Sequence, residues 1–466
     1  MNDDTRALLR RTADLAGDFL DTLPERPVTS HVAVADLRSE LVTELPETGE
    51  DPTHVIEHLA EVGGRAAVAM AGPRYFGFVI GGSLPPALAA DWLTSTWDQN
   101  AGLYVAGPAA SVVEEAVGAW LIGLFGLPPD TGYGLVTGCQ MAHFTCLAAA
   151  RHAVLERAGW DVTGRGLFGA PEIEVIVGAE AHSTLLTALQ YLGLGRDRVR
   201  TVETDDQGRI VTASLAEALA SVPDGAPLIV NLQAGNVNTG SFDPFRETIE
   251  LVREREGAWV HVDGAFGLWA AVSPELAAHV DGIREADSWA TDAHKWLNVP
   301  YDSGLAFVAD ARAHAAAMAP PHAAYLEYGQ ERDQMAWVPE FSRRARGFPI
   351  YAALRTLGRA GVRDMIERCC SLARRMADRL AASPGVEVLN EVALNQVLVR
   401  FTLADGRDAD EHTREVIRRV QEDGTIWLSG TTWHGMAAMR ISVSNWSTTE
   451  ADADLAVDAI LRCARA

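Results

Sequence analysis

Of the 39 lysine and arginine residues in this chain, all but one are arginine, and the exception is Lys295. It sits in the stretch DSWATDAHKWLNVPYDSG, from Asp287 to Gly304. Arginine stays protonated under all practical conditions, whereas a lysine amine can lose its proton and become a nucleophile. A chain that takes its positive charge from arginine and keeps one lysine points to chemistry that needs a primary amine, an imine with an aldehyde. The plain alternative is biased composition, with one lysine surviving by chance. The neighbours weigh against chance. Ser288, Trp289 and Ala290 read as a short buried strand, and Asp292, Ala293 and His294 as a turn. Lys295 then falls at a strand end, where open α/β sheets place their ligands.

Three other places carry groups of use to such an amine. Thr137-Gly138-Cys139-Gln140 joins a strand-like run to a helical one. Backbone amides at a helix N-terminus, with glycine allowing close approach, suit a phosphate, although such turns are common. His182, in GAEAHST, reads by itself as a packed or helix-capping histidine. Asp263 ends the apolar run of HVDGAFG, and a carboxylate there is costly unless paired. A protonated pyridine nitrogen would pair it; so would a structural salt bridge. Ala265, two residues on, could lay a methyl against a ring face. The five cysteines (Cys139, Cys146, Cys369, Cys370 and Cys463) are odd in number and form no metal-type CxxC pair. Free thiols in a reducing cytoplasm are therefore expected, and no metal.

A frame must hold these residues, and the periodicities supply one. Strand-like runs at 172–178, 198–204, 226–233, 258–263, 287–291 and 304–310 alternate with helical segments, after LVTG (135–138) and a helix over 140–157. That alternation implies a mostly parallel sheet covered on both faces. Ahead of it, 5–23 is amphipathic with Leu8, Leu9, Leu15, Phe19 and Leu20 on one face. Pro24 and Pro27 end that helix, a second helix lies near 51–70, and a third runs from Ser111 to Leu127. The spacing divides the chain into an N-terminal helical segment (1–90), a large domain (91–320), a polar lid-like loop (321–348) and a small C-terminal α+β domain (349–466). The last holds a helix from 349 to about 382, strands at 386–390, 395–401 and 439–445, and a helix near 408–422.

At 466 residues with 48% hydrophobic and 22% charged content, the chain can bury large cores. The formal net charge of −24 argues against nucleic acid or anionic membranes as partners. No run of about 18 apolar residues stands out, so no membrane span is expected.

Taken together, the motifs resemble the group II pyridoxal-phosphate-dependent amino-acid decarboxylases, relatives of aromatic-amino-acid and glutamate decarboxylases. The resemblance runs over most of the chain. It rests on ERPV (25–28), PRYFG (73–77), TGCQMA (137–142), the His182 segment, SFDP (241–244), HVDGAFG (261–267), DSWATDAHKWL (287–297) and SRRARG (342–347). It implies the aspartate-aminotransferase-type fold as a homodimer with each site at the interface, and pyridoxal 5′-phosphate as cofactor. On these positions Lys295 would bind the cofactor aldehyde, Asp263 the pyridine nitrogen, and His182 the ring face. Gly138, Cys139, Gln140 and His294 would meet the phosphate, with Ala265 and either Asn236 or Asn238 near the ring. Family members commonly carry a lid tyrosine that returns a proton to the substrate. Counting back from Arg343 and Arg344 puts Gln334 there, with Tyr325 and Tyr328 nearby.

The expected activity is decarboxylation of an L-amino acid to an amine. Decarboxylation with oxidative deamination to an aldehyde, or another carbon–carbon lyase or aldol-type reaction, remains open on the same scaffold. A non-catalytic relative is a rival of another class. Phe76, Phe78, Trp97, Asn100 and Tyr104 are candidate pocket residues and hint at an apolar or aromatic substrate. Arg440 could meet a carboxylate, or could form a surface ion pair.

Overall fold

The computed structural model describes residues 3–320, 331–402, 406 and 408–465. Five helices open the chain: α1 (Asp3–Thr22), α2 (Val34–Leu41), α3 (Pro52–Ala66), α4 (Pro85–Trp97) and α5 (Pro108–Phe125). Their starts follow local chemistry. Asp51 accepts from the Thr53 and His54 amides ahead of α3, and proline stands in the first turn of α3, α4 and α5, where its missing N–H costs nothing. Gly126 ends α5 in a left-handed conformation (φ 66°). Among the described helices, α5 has the length and composition to cross a membrane, contrary to the expectation that no such run exists. It is a core helix: Val117, Leu121 and Phe125 are buried in the main cluster.

The central sheet follows. Its strands are β1 (Gly132–Val136), β2 (Glu174–Gly178), β3 (Arg200–Val202), β4 (Leu228–Gln233), β5 (Trp259–Asp263), β6 (Ser288–Asp292) and β7 (Gly304–Val308). Between them lie α6 (Cys139–Arg157), α7 (Val162–Arg165), α8 (Ser183–Tyr191), α9 (Thr212–Ala220), α10 (Phe245–Arg253) and α11 (Ala293–Trp296), with α12 (Ala311–Met318) after β7. The seven strands run β1-β7-β6-β5-β4-β2-β3. β2 to β6 are mutually parallel, and β7 is antiparallel to both β1 and β6. The sheet is thus mostly parallel, as the alternation predicts. β4 and β5 are buried at every residue, which is why they read as unbroken apolar runs. Two readings are corrected. The run at 198–204 keeps only three residues as strand, because Val199 caps a 3-10 turn. The supposed turn at Asp292 is the last residue of β6, with α11 beginning at Ala293.

α13 (Gly347–Ala381) then leads into β8 (Val386–Val388), β9 (Gln396–Phe401), α14 (Ala409–Asp423), β10 (Ser429–Trp433), β11 (Met436–Ser442) and α15 (Glu450–Arg465). The four strands form an antiparallel sheet, β10-β11-β9-β8. Gly358 breaks the path of α13 with φ 62°. The N-terminal segment pairs with the C-terminal domain. Tyr75 pairs with Trp427, the Phe76 amide donates to the Trp427 carbonyl, and Ser442 donates to the Phe76 carbonyl through its amide.

Candidate active site

The register of the central sheet brings the predicted residues together. Asp263 pairs across the ladder with Gln233 on one side and Ala290 on the other, so Asp263 and Asp292 both finish at the C-terminal edge. Lys295 follows one turn later on α11. Its Nζ lies 3.1 Å from Asp292 Oδ2, and the Asp292 side chain is 3% exposed. Burial lowers the Lys295 pKa, but Asp292, with Cys139 and Asp263, more than offsets it and the net shift is upward. The amine is therefore held as an ammonium, and it must give up a proton before it can attack an aldehyde.

Asp263 is buried, with Oδ1 accepting from the Ala265 amide at 3.1 Å and Oδ2 3.5 Å from His143 Nε2. Burial pushes its pKa up, yet His143, then His182 and Lys295, hold it below the ordinary carboxylate range. His182 precedes α8 and caps it, its Nδ1 accepting from the Thr184 amide at 3.3 Å. The capping alternative is therefore real. It also fixes the tautomer: the hydrogen is on Nε2, the free edge. Burial lowers the His182 pKa, so the ring is neutral near pH 7.

Gly138 is the N-cap of α6 and has no side-chain cap. Its carbonyl takes the Met141 and Ala142 amides, leaving the first-turn amides of Cys139 and Gln140 open. A Cβ on Gly138 would sit 3.3 Å from His294 Cε1, and one on Gly304 would collide with the Gly138 backbone. The phosphate turn, His294 and β7 thus converge on one small space. His294 accepts from the Ser303 amide through Nδ1 at 3.1 Å, and its ring stacks on Tyr301 with centroids 4.2 Å apart. The Cys139 thiol is not in that turn. It points to His143 Nε2 at 3.5 Å, and burial, then Asp292 and Asp263, raise its pKa. Cys139, His143 and Asp263 come within metal-binding spacing.

Several expectations are corrected. Asn236 spends its side chain locally: Oδ1 accepts from the Asn238 and Thr239 amides and Nδ2 donates to Gln233 Oε1. Asn238 is the one that faces a charged group, its Oδ1 lying 3.5 Å from Arg440 Nη1. Arg440 is no surface ion pair: it is buried, and its guanidinium donates to the Val237 carbonyl and Asn238. Burial lowers its pKa to about 10, and His182 lies within reach of its charge. Asn100 accepts from the Gly102 and Arg343 amides, which makes it a loop staple. Gln334 has no exposure and its Oε1 accepts from Ser111 Oγ at 2.9 Å, so its side chain does not reach into a pocket. The Tyr104 amide donates to Asp333, which ties this residue to the segment before Gln334 rather than to Lys295. Tyr325 and Tyr328 lie outside the described residues. Phe78 is half-exposed at φ 50°, a strained conformation for a bulky residue, with its ring 5.4 Å from Trp427. It belongs to the loop whose Gly81 abuts the Lys295 carbonyl so closely that no Cβ would fit between them.

Sequence reasoning missed Asp292, His143 and Tyr301. Asp292 stands three residues before Lys295, one helical turn, and that spacing was available. His143 stands four residues after Cys139, and so on one face of α6.

A ring with a basic nitrogen, an aldehyde and a phosphate matches these donors. The buried Asp263 carboxylate has no arginine partner among the described residues, the α6 amides are open, and Lys295 stands between them. Residues 35–403 match the family model for the pyridoxal-dependent decarboxylase conserved domain. The chain belongs to that family. It is 27% identical over 459 residues to an aromatic-L-amino-acid decarboxylase of Bacillus atrophaeus, covering 96% of this chain and 93% of that protein. It is 25% identical to a 4-hydroxyphenylacetaldehyde synthase of Rhodiola rosea, over 95% and 91% of the two chains. The fold matches that of Oryza sativa TDC with PLP and tryptamine at TM-score 0.92 and 24% identity, over 100% and 98% of the chains. This decarboxylase therefore uses pyridoxal phosphate, with Lys295, Asp263, His182 and the Gly138 turn as the residues that fit it.

Proposed function

We propose that this pyridoxal-phosphate-dependent carboxy-lyase removes CO₂ from an L-amino acid with an aromatic or apolar side chain, as a cytoplasmic homodimer, and releases the amine. The observation that carries the reading is the arrangement of Lys295, Asp292 and Asp263 at adjoining strand ends under the half-exposed Phe78 loop. When bound, the cofactor supplies an electron sink for the pair released from the Cα–carboxylate bond. The protein's residues do the rest. Asp263 stays ionised and holds a proton on the ring nitrogen. The capped His182 offers a neutral Nε2–H edge. Asp292, 3.1 Å from Lys295 Nζ, would take or return the Lys295 proton. Arg440, without a carboxylate partner among the described residues, is placed for an anionic group of the substrate. Phe78 and Trp427 supply an apolar wall.

The dimer reading is supported by Trp92, Leu93, Trp97, Val105 and Val112, exposed large apolar residues on one stretch around α4 and α5. The five described cysteines are all free and buried, in keeping with a reducing compartment. A second outcome has its own support. With Gln334 bonded to Ser111, no described residue takes the place of the lid tyrosine. Amino acid, O₂ and water would then give aldehyde, CO₂, ammonia and hydrogen peroxide. A non-catalytic role fits poorly with a charged Lys295 held against a buried Asp292. The test is an assay of CO₂, amine, aldehyde and peroxide on a panel of L-amino acids. CO₂ with amine from an aromatic substrate supports the proposal. Aldehyde with peroxide supports the second outcome, and no turnover of any amino acid rejects both.

A further inference from the structure

Behind Asp263 a line of polar side chains runs into the core with no route to water. Trp259, His261, Ser288 and His143 are all at 0% exposure. Trp259 Nε1 donates to Ser288 Oγ at 2.9 Å, Ser288 Oγ lies 2.9 Å from His261 Nδ1, and His261 Nε2 lies 2.9 Å from His143 Nδ1. His143 Nε2 then lies 3.5 Å from Asp263 Oδ2. The two imidazoles meet edge to face, 85° between planes.

One order of hydrogens satisfies every contact in this line. An indole N–H can only donate, so Ser288 Oγ accepts from Trp259. The Ser288 hydroxyl hydrogen then needs an acceptor, and His261 Nδ1 is its neighbour. A bare Nδ1 puts the His261 hydrogen on Nε2, where it meets His143 Nδ1. That in turn puts the His143 hydrogen on Nε2, facing the Asp263 carboxylate. Each contact in this order holds one hydrogen. Burial pushes the His261 pKa well below its usual value, in agreement with a neutral His261 ring. The opposite order would turn a bare nitrogen toward a buried carboxylate, which is costly, with only the weakly donating Cys139 thiol, 3.5 Å from His143 Nε2, to meet it.

We infer that His143, oriented through His261 and Ser288, is a positioning residue whose Nε2–H keeps Asp263 ionised against the cofactor's ring nitrogen. His143 touches neither cofactor nor substrate by this arrangement; it acts through Asp263. The inference rests on the pyridoxal phosphate assignment for its spectroscopic half and stands without it for its protein half. Other ionisable groups face this cluster: Cys139 on α6, His182 ahead of α8, Asp292 at the end of β6, Lys295 on α11, and Asp243. All of them are kept in the variants below.

Two measurements test it. In the cofactor-free protein, histidine side-chain ¹⁵N NMR reads the tautomers directly. Both His143 and His261 are expected as single Nε2–H forms near pH 7. A His143 carrying hydrogen on Nδ1, or on both nitrogens, overturns the proposal, whatever the enzyme's substrate proves to be. In the loaded protein, His143→Leu is expected to weaken pyridoxal phosphate binding by about tenfold, the worth of one hydrogen bond to a charged group. It should also move the midpoint of the bound cofactor's absorbance–pH titration, because Asp263 then takes up a proton more readily. His143→Gln, whose amide N–H reaches where Nε2 does, is expected to restore both. Unchanged binding and titration in His143→Leu, or no recovery in His143→Gln, overturns it.

Discussion

At the scale of single residues, chemistry here is set by what stands beside Lys295. The carboxylate of Asp292 at 3.1 Å keeps the amine charged. Asp292→Asn removes that stabilisation, so the Lys295 pKa falls and more of it is free base at neutral pH. Amine-selective acylation of the cofactor-free protein should then be several-fold faster at Lys295, read by mass spectrometry of a chain with a single lysine. An unchanged rate would show that Asp292 does not govern the proton. Much of this site was legible in the sequence. Lys295 stands out by composition, Asp263 by ending an apolar run, and Gly138 by its turn. Asn100 and Gln334 were misplaced because a polar side chain near a pocket in sequence can equally staple a loop. Which of the two it does depends on partners far along the chain, Arg343 for Asn100 and Ser111 for Gln334.

At the scale of elements, the segment leading into α13 is tied to α5 by a buried ion pair. Arg343 Nη1 meets Glu114 Oε2 on α5 at 2.7 Å, with both side chains almost fully buried, and the same guanidinium donates to the Ala101 and Leu135 carbonyls. Arg343→Ala would leave Glu114 as an uncompensated buried charge. The expected loss is about 3–5 kcal/mol, measured as a drop in the urea midpoint with unchanged slope; a loss under about 1 kcal/mol would contradict it. The strands of the central sheet were legible because both faces are covered and the runs are apolar. β10 (SGTTW) was not: its three middle residues are polar or glycine and none is buried, so it lacks the apolar signal. Helix α4 was hidden by the glycine-rich stretch before it, whose role is close packing against Lys295.

At the scale of the whole molecule, two properties follow from burial. The exposed apolar stretch around α4 and α5 should be covered by a second copy, so sedimentation should give twice the 50.1 kDa chain mass. Val105→Asp, at a residue 70% exposed in the single chain, should shift the protein toward monomer and lower its activity. A wild-type chain that sediments as an active monomer would refute this. Acid stability is the second property. His314 is fully buried, 2.8 Å from the Trp337 carbonyl through Nε2, and burial lowers its pKa to about 3. Unfolded histidine titrates near 6.5, so between these values the unfolded chain binds a proton that the folded chain refuses. Stability from this group is therefore complete above about pH 6.5 and falls as the pH drops, by up to about 1.4 kcal/mol per unit. His314→Gln should show a shallower loss between about pH 6 and 4. An identical slope would mean that His314 protonates in the folded state.

The most direct measurement begins with the purified protein loaded with pyridoxal phosphate and active on its substrate. It is reduced with borohydride, digested and mapped by mass. The Lys295 peptide should carry the reduced cofactor in near-stoichiometric amount, with activity lost in proportion. An active enzyme whose Lys295 peptide stays unmodified would contradict the assignment of this amine as the anchor of the reaction.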